Sequence, residues 1–206
     1  SKPNNKIVNP YANYITDTFV GFFMGEPVSY KSTKENEDYL LKIQSIFNYN
    51  DEQEENAELA KDSSIYGAAY ELLYLDEDTQ IRFKPLNPIE IIPIFDDTVE
   101  ENLECCIRYY EITTDILNSQ KEYRVEVYNK TEIKIYNYTN KVLSPMGVEF
   151  HQFKEVPIVI YQNNTEEMGD FENVISLIDS YDKLNSDSIN DFEAFVDCYM
   201  VLQGME

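Results

Sequence analysis

Basic side chains are scarce in this chain. Lys and Arg number 16 against 39 Asp and Glu, a formal net charge of -23, so the surface repels polyanions and offers no basic stripe for gripping phosphates. Histidine occurs once, as His151, and any Ser-His or Cys-His catalytic pair would have to use it. It sits in Phe150-His151-Gln152-Phe153, an alternation that fits a strand or loop edge. Glycine is thin at 6 residues, and no P-loop, GxGxxG loop or GxSxG elbow is present, which removes the common kinase, dinucleotide-binding and hydrolase readings. The cysteines, Cys105, Cys106 and Cys198, are an odd set without metal-ligand spacing and read as reduced thiols. Cys105 and Cys106, being adjacent, should point to opposite faces of a strand. No apolar run approaches the roughly 20 residues that cross a bilayer, and no signal-peptide pattern is present, so no membrane partner is expected. The Asn-x-Thr triplets at Asn129, Asn137 and Asn163 matter only in a secretory protein and are set aside. The opening on Ser1 and a helical pattern that runs to Glu206 read as a piece of a longer chain.

What is present is enough to build a core: 43% of the 206 residues are hydrophobic, with 17 Tyr and 11 Phe. Asn9-Pro10 predicts a helix start, with Asn9 as cap and Pro10 as first helical residue. Tyr11, Tyr14, Ile15, Phe19, Phe22 and Phe23 then recur at helical steps as one aromatic face, expected to pack inside, and Gly25 with Pro27 closes the run. Gly21 and Gly25 form a GxxxG spacing read as packing. Residues 28–31 form a short extended piece. Two more helices are predicted, over 36–47 with Leu40, Ile43 and Phe47 inward, and from an acidic start near Asp51 to Ser64.

From Gly67 the texture turns to β. Residues 69–75 and 80–86, joined by Asp76-Glu77-Asp78-Thr79, read as a hairpin, and 89–95, 103–113, 123–128, 132–138 and 156–161 as further strands. Tyr123-Arg124-Val125-Glu126-Val127 alternates as a half-buried strand does. After Gly169 helical period returns, with Phe171, Val174, Ile175, Ile178 and Tyr181 on one face, continued by Leu184, Ile189, Phe192, Phe195 and Val196. The fold class expected is α+β: N-terminal helices (1–66), a central, mostly antiparallel sheet (67–165) and C-terminal helices (166–206), as one domain.

Candidate chemistry is weak. Asp76-Glu77-Asp78 and Asp96-Asp97 place carboxylates close together, as Mg²⁺ or Ca²⁺ requires, but both fall where turns favour Asp for backbone reasons. No catalytic, metal or cofactor residue is assigned. The aromatic wealth could stack single-stranded bases, but such proteins pair aromatics with a basic groove, so core packing and subunit contact are the better account.

Three stretches carry a resemblance. Pro3-Asn4-Asn5-Lys6-Ile7-Val8-Asn9-Pro10-Tyr11-Ala12-Asn13-Tyr14-Ile15, running into a helix that ends in Gly25-Glu26-Pro27, is the first. Ser64-Ile65-Tyr66-Gly67-Ala68-Ala69-Tyr70-Glu71-Leu72, then Ile81-Arg82-Phe83 and Pro88-Ile89-Glu90-Ile91-Ile92-Pro93-Ile94-Phe95-Asp96-Asp97, is the second. Gly169-Asp170-Phe171-Glu172-Asn173-Val174-Ile175-Ser176-Leu177-Ile178-Asp179-Ser180-Tyr181-Asp182, with Ser186-Asp187 and Asn190-Asp191-Phe192, is the third. In colinear order these resemble portal proteins of long-tailed phages of Gram-positive hosts. The resemblance implies the outward-projecting wing domain of a non-enzymatic ring subunit, in a virion capsid vertex and, during assembly, in the bacterial host cytoplasm. Duplex DNA would pass through the ring without sequence-specific binding. The partners implied are further copies of the chain, a terminase motor, capsid or scaffold proteins and head-tail adaptors. Two other readings stay open: a carboxylate-based, metal-dependent phosphoesterase or nuclease, and an adaptor that recruits proteins without forming a ring.

Overall fold

The computed structural model describes residues 4–112 and 122–196. Four helices, α1 (Tyr11–Phe23), α2 (Glu37–Tyr49), α3 (Glu52–Tyr66) and α4 (Ile175–Val196), flank eight strands, β1 (Ala68–Leu75), β2 (Ile81–Leu86), β3 (Ile91–Phe95), β4 (Leu103–Ile112), β5 (Glu122–Tyr128), β6 (Glu132–Thr139), β7 (Val142–Phe150) and β8 (Ile158–Gln162). This is the α+β class expected. The strands form two sheets where one was expected: a three-stranded sheet ordered β2-β1-β8 and a five-stranded meander β3-β4-β5-β6-β7, every pairing antiparallel.

β1 explains the arrangement. Ala68 and Tyr70 point to one side and Ala69 and Glu71 to the other, as period two demands, and all are buried. On the first side they meet Leu86, Ile91, Cys106, Tyr128, Val156 and Ile158, a core held between the two sheets. On the other lies α3, whose Leu59, Ala60, Ser63 and Ser64 are buried. A strand covered on both faces reads as a continuous buried run rather than an alternating one. Leu40, Ile43 and Phe47 of α2 are half-buried as predicted, and Phe47 meets Phe83 of β2 edge-on with ring centroids 6.1 Å apart.

Three expectations are corrected. Asn9 is not a helix cap: Pro10 occupies the cap position and no side chain bonds the first turn. Asn9 instead bonds the Asp182 carboxylate of α4 through its backbone N–H (3.0 Å) and its amide (2.7 Å). Two donors held by one carboxylate turn the Asn9 side chain toward α4 and away from the first turn of α1. The aromatic face of α1 is not inside either. Only Thr16 is buried in that helix, where its hydroxyl faces Ser64 of α3, and Phe22 is 92% exposed. The GxxxG pair makes no helix packing: a Cβ on Gly21 would meet nothing, and one on Gly25 would strike the Gly21 carbonyl at 2.3 Å, so Gly25 serves its own helix end.

β7 escaped prediction. Its sequence holds Pro145 and Gly147, both poor in strands, and every residue of it is exposed. It survives as the edge of the five-stranded sheet, with the register slipping between Ile135 and Tyr136 so that Met146 is an extra residue. A proline and a bulge together blunt an edge that would otherwise template further strands. The strand expected over 89–95 begins at Ile91, because Asn87 caps a 3-10 turn at Pro88–Glu90 by accepting from the Ile89 N–H.

Candidate functional site

One aspartate of each carboxylate cluster singled out in the sequence is engaged in closing its turn. Asp76 Oδ1 accepts from the Gln80 and Asp78 amides (2.9 and 3.0 Å) and Oδ2 from the Tyr49 hydroxyl (3.1 Å), which closes the β1–β2 hairpin. The Gln80 amide foremost, with the Tyr49 and Asp78 donors, holds its carboxyl below the usual range. Asp96 accepts from the Thr98 hydroxyl (2.6 Å), the Thr98 and Asn102 amides and the Asn102 side chain. The Thr98 hydroxyl first, then the Asn102 side chain, lowers its carboxyl in turn. Among the described residues no group of three His, Cys, Asp or Glu is arranged to hold a metal ion.

His151 is bonded to a neighbouring turn. Its Nε2 lies 2.8 Å from the Asn129 carbonyl and its backbone N–H donates to Thr131, so it ties the end of β7 to the β5–β6 turn. Cys105 and Cys106 point to opposite faces of β4 as expected; Cys106 is wholly buried, and burial pushes its thiol up to about 12, far from a reactive thiolate. Cys198 lies outside the described residues. Among the described residues no helix is long and apolar enough to cross a membrane.

Three constellations invisible in the sequence are built by the fold. The first is a clasp between the chain's beginning and α4. Asn5, Ile7 and Asn9 donate in turn to Asn190 (2.7 Å), Ser186 (2.9 Å) and Asp182 (3.0 Å). Two residues of extended chain advance about 6.6 Å and four residues of helix about 6 Å, so alternate residues of one match every fourth residue of the other. The second is a close crossing at the end of α3. Gly67, at φ 83°, has room for no Cβ because the Glu167 carbonyl would lie 1.8 Å away, and a Cβ on Gly169 would meet the Ile65 carbonyl at 2.5 Å. Asp170 is thereby set to accept from the Ser64 hydroxyl (2.7 Å) and the Asn163 amide (2.8 Å). The third is a polar network on the core side of the five-stranded sheet. Glu126 accepts from Tyr110 and Tyr128 (both 2.7 Å), and Arg108 lies over the Tyr110 ring at 4.1 Å while bonding Glu90 at 3.1 Å.

The opposite face of that sheet is mostly apolar, with a Lys134–Glu132 ion pair at 3.2 Å on it, and among the described residues it is uncovered. Ile107, Tyr109, Val125, Val127, Tyr136 and Tyr138 share it by register, with Leu143, Val148 and Phe150 of β7. None of these is buried, those of β4 to β6 being mostly half-buried, and among the described residues no helix packs along the face. α4 shows the same trait: no residue of it is buried. A sequence signal for the open face existed in the strict alternation of β5, but alternation reports that the two faces differ and not which one is covered.

These features are of scaffold and surface, and comparison with known proteins agrees with them. The model of the family described as phage portal protein, SPP1 Gp6-like, matches residues 1–206. A portal protein of Clostridium phage phiCD119 is 25% identical over 216 residues, covering 98% of this chain and 48% of that protein. A portal protein of Bacillus phage SPP1 is 22% identical over 220 residues, covering 100% of this chain and 43% of that protein. The chain thus spans about half the length of the curated relatives it matches. A match over every residue shows the family, and this chain belongs to the SPP1 Gp6-like phage portal proteins.

Proposed function

We propose that the chain is the wing-like outer domain of a portal subunit, a structural and non-enzymatic part of the ring at the capsid vertex through which the phage genome is packaged and ejected and on which head and tail are joined. The family match over the whole chain carries this reading. The division into a helical part (1–66), a β part (67–165) and a helical part (166–206) describes one domain. The ring would take further copies of the chain, a terminase motor, capsid or scaffold proteins and head-tail adaptors as partners, and would assemble in the host cytoplasm. Duplex DNA would cross it without sequence-specific binding. A net charge of -23 suits that role, since an acidic domain near the DNA path opposes lasting phosphate contacts that would brake translocation. Neither a metal-dependent nuclease nor a ringless adaptor gains a specific observation.

Ring formation is the direct test. Light scattering of the full-length protein on a sizing column should give the mass of a closed ring, visible as such by electron microscopy. A protein that stays monomeric across a range of salt would overturn the reading.

A further inference from the structure

We infer that residues 4–9 are a detachable strap on which the helical state of α4 depends. The polar side of α4 is then a binding site for an extended peptide, filled by a segment of the same chain, whether or not the protein forms a ring. α4 is a poor helix by composition. Ten of its 22 residues are Ser, Asp or Asn, types that bond nearby backbone groups and favour turns over helix interiors. The Ser180, Ser186 and Ser188 hydroxyls all turn back onto carbonyls four residues earlier. Most helices in proteins are stabilised by packing one face, but no residue of α4 is buried, and on its apolar side Leu184 is 62% and Phe195 74% exposed. Among the described residues no sheet packs along it.

The strap supplies what packing does not. Asn5, Ile7 and Asn9 are half-buried, while Asn4, Lys6 and Val8 between them are exposed. Six hydrogen bonds run from those three residues to α4, three from backbone N–H groups and three from side-chain amides. They end on Asp182, Ser186, Asn190 and Glu193, so consecutive turns of the helix are tied. Three of the six end on carboxylates, the stronger kind of acceptor. Ser186 serves both partners: its proton goes to the Asp182 carbonyl (2.7 Å), which leaves its oxygen to accept from the Ile7 N–H (2.9 Å). A segment held only through polar contacts, and joined to α1 by Pro10, leaves as a unit. α4 is then without support on either side. Melting on release and re-forming on return make an order–disorder switch.

Hydrogen exchange of the full-length protein lacking residues 1–9 tests this. Exchange in residues 175–196 should rise nearly to that of unstructured chain, with protection in β1 retained. A synthetic peptide of residues 1–10, added at up to about millimolar concentration, the range a short tether supplies, should restore protection saturably. The same peptide with N5A and N9A lacks the three side-chain bonds and should need a concentration at least about tenfold higher. Where the shortened chain fails to fold, as lost protection in β1 would show, Ile7→Pro in the intact protein removes only the middle N–H donor. That variant should speed exchange in residues 175–196 several-fold. Protection of α4 that survives in the folded shortened chain, or unchanged in the Ile7→Pro variant, would mean that the helix is held by its apolar side or by its own propensity, and overturns the inference. Melting that the peptide does not reverse overturns it as well.

Discussion

Glu71 faces α3 from β1, buried, with the Tyr161 hydroxyl of β8 donating to it at 2.8 Å. Desolvation raises its carboxyl above the usual range; the Tyr161 bond opposes this, and the charges of Glu55 and Glu52 reinforce it. Lys84 is committed to Glu55 at 2.6 Å. With the folded value above the unfolded one, the stability linked to this group is present below the unfolded value and lost as pH rises through the folded one. Glu71→Gln should therefore melt higher than the parent at pH 7, and the two should converge as pH falls toward 4; thermal melts across that range check it. Gly67 makes the opposite kind of site. Gly67→Ala faces about 1–3 kcal/mol of left-handed backbone strain together with the overlap on the Glu167 carbonyl. It should lower the melting temperature by roughly 5 °C or more. Gly67 was legible as the point where texture changes, but the carbonyl that forbids a side chain there comes from a residue 100 positions on.

At the scale of elements, α4 is held by its polar side. Asp182→Ala removes the acceptor of both Asn9 bonds, and a bond to a charged group is worth about 1.5–3 kcal/mol. Hydrogen exchange should speed up in residues 175–196 and in the residues leading into α1, while protection in β1 is retained, because local opening need not propagate to the core. Loss of protection throughout would show the clasp to be part of the global fold. Element existence was largely written in the sequence: the β1–β2 hairpin, the strands β4 to β6 and the start of α3 all fall within a residue or two of expectation. β7 was not, since Pro145 and Gly147 break local propensity and only pairing with β6 holds the strand. Nor was the burial of α1, where six aromatic and aliphatic residues advertise an inner face and Thr16 occupies it.

For the whole molecule the acidic excess predicts how DNA is treated. Proteins that neutralise phosphates show a slope of log K on log salt of about -0.9 per contact. The assembled ring should show a slope near zero at the acidic outer domain and no retention of short duplex at low salt; steep salt dependence that maps to this domain would refute the idea. The sequence by itself determined the α+β class, the order of the elements and the charge, because periodicity, turn chemistry and composition act over a few neighbouring residues, and three colinear stretches carried the resemblance to the family. Only the tertiary structure decided that the strands part into two sheets, that Asn9 serves α4 rather than α1, that Asp76 and Asp96 close their own turns, and that among the described residues nothing buries α4 or covers one sheet face. Those outcomes depend on which distant surfaces meet, and an amphipathic pattern states that a side wants cover without naming what covers it.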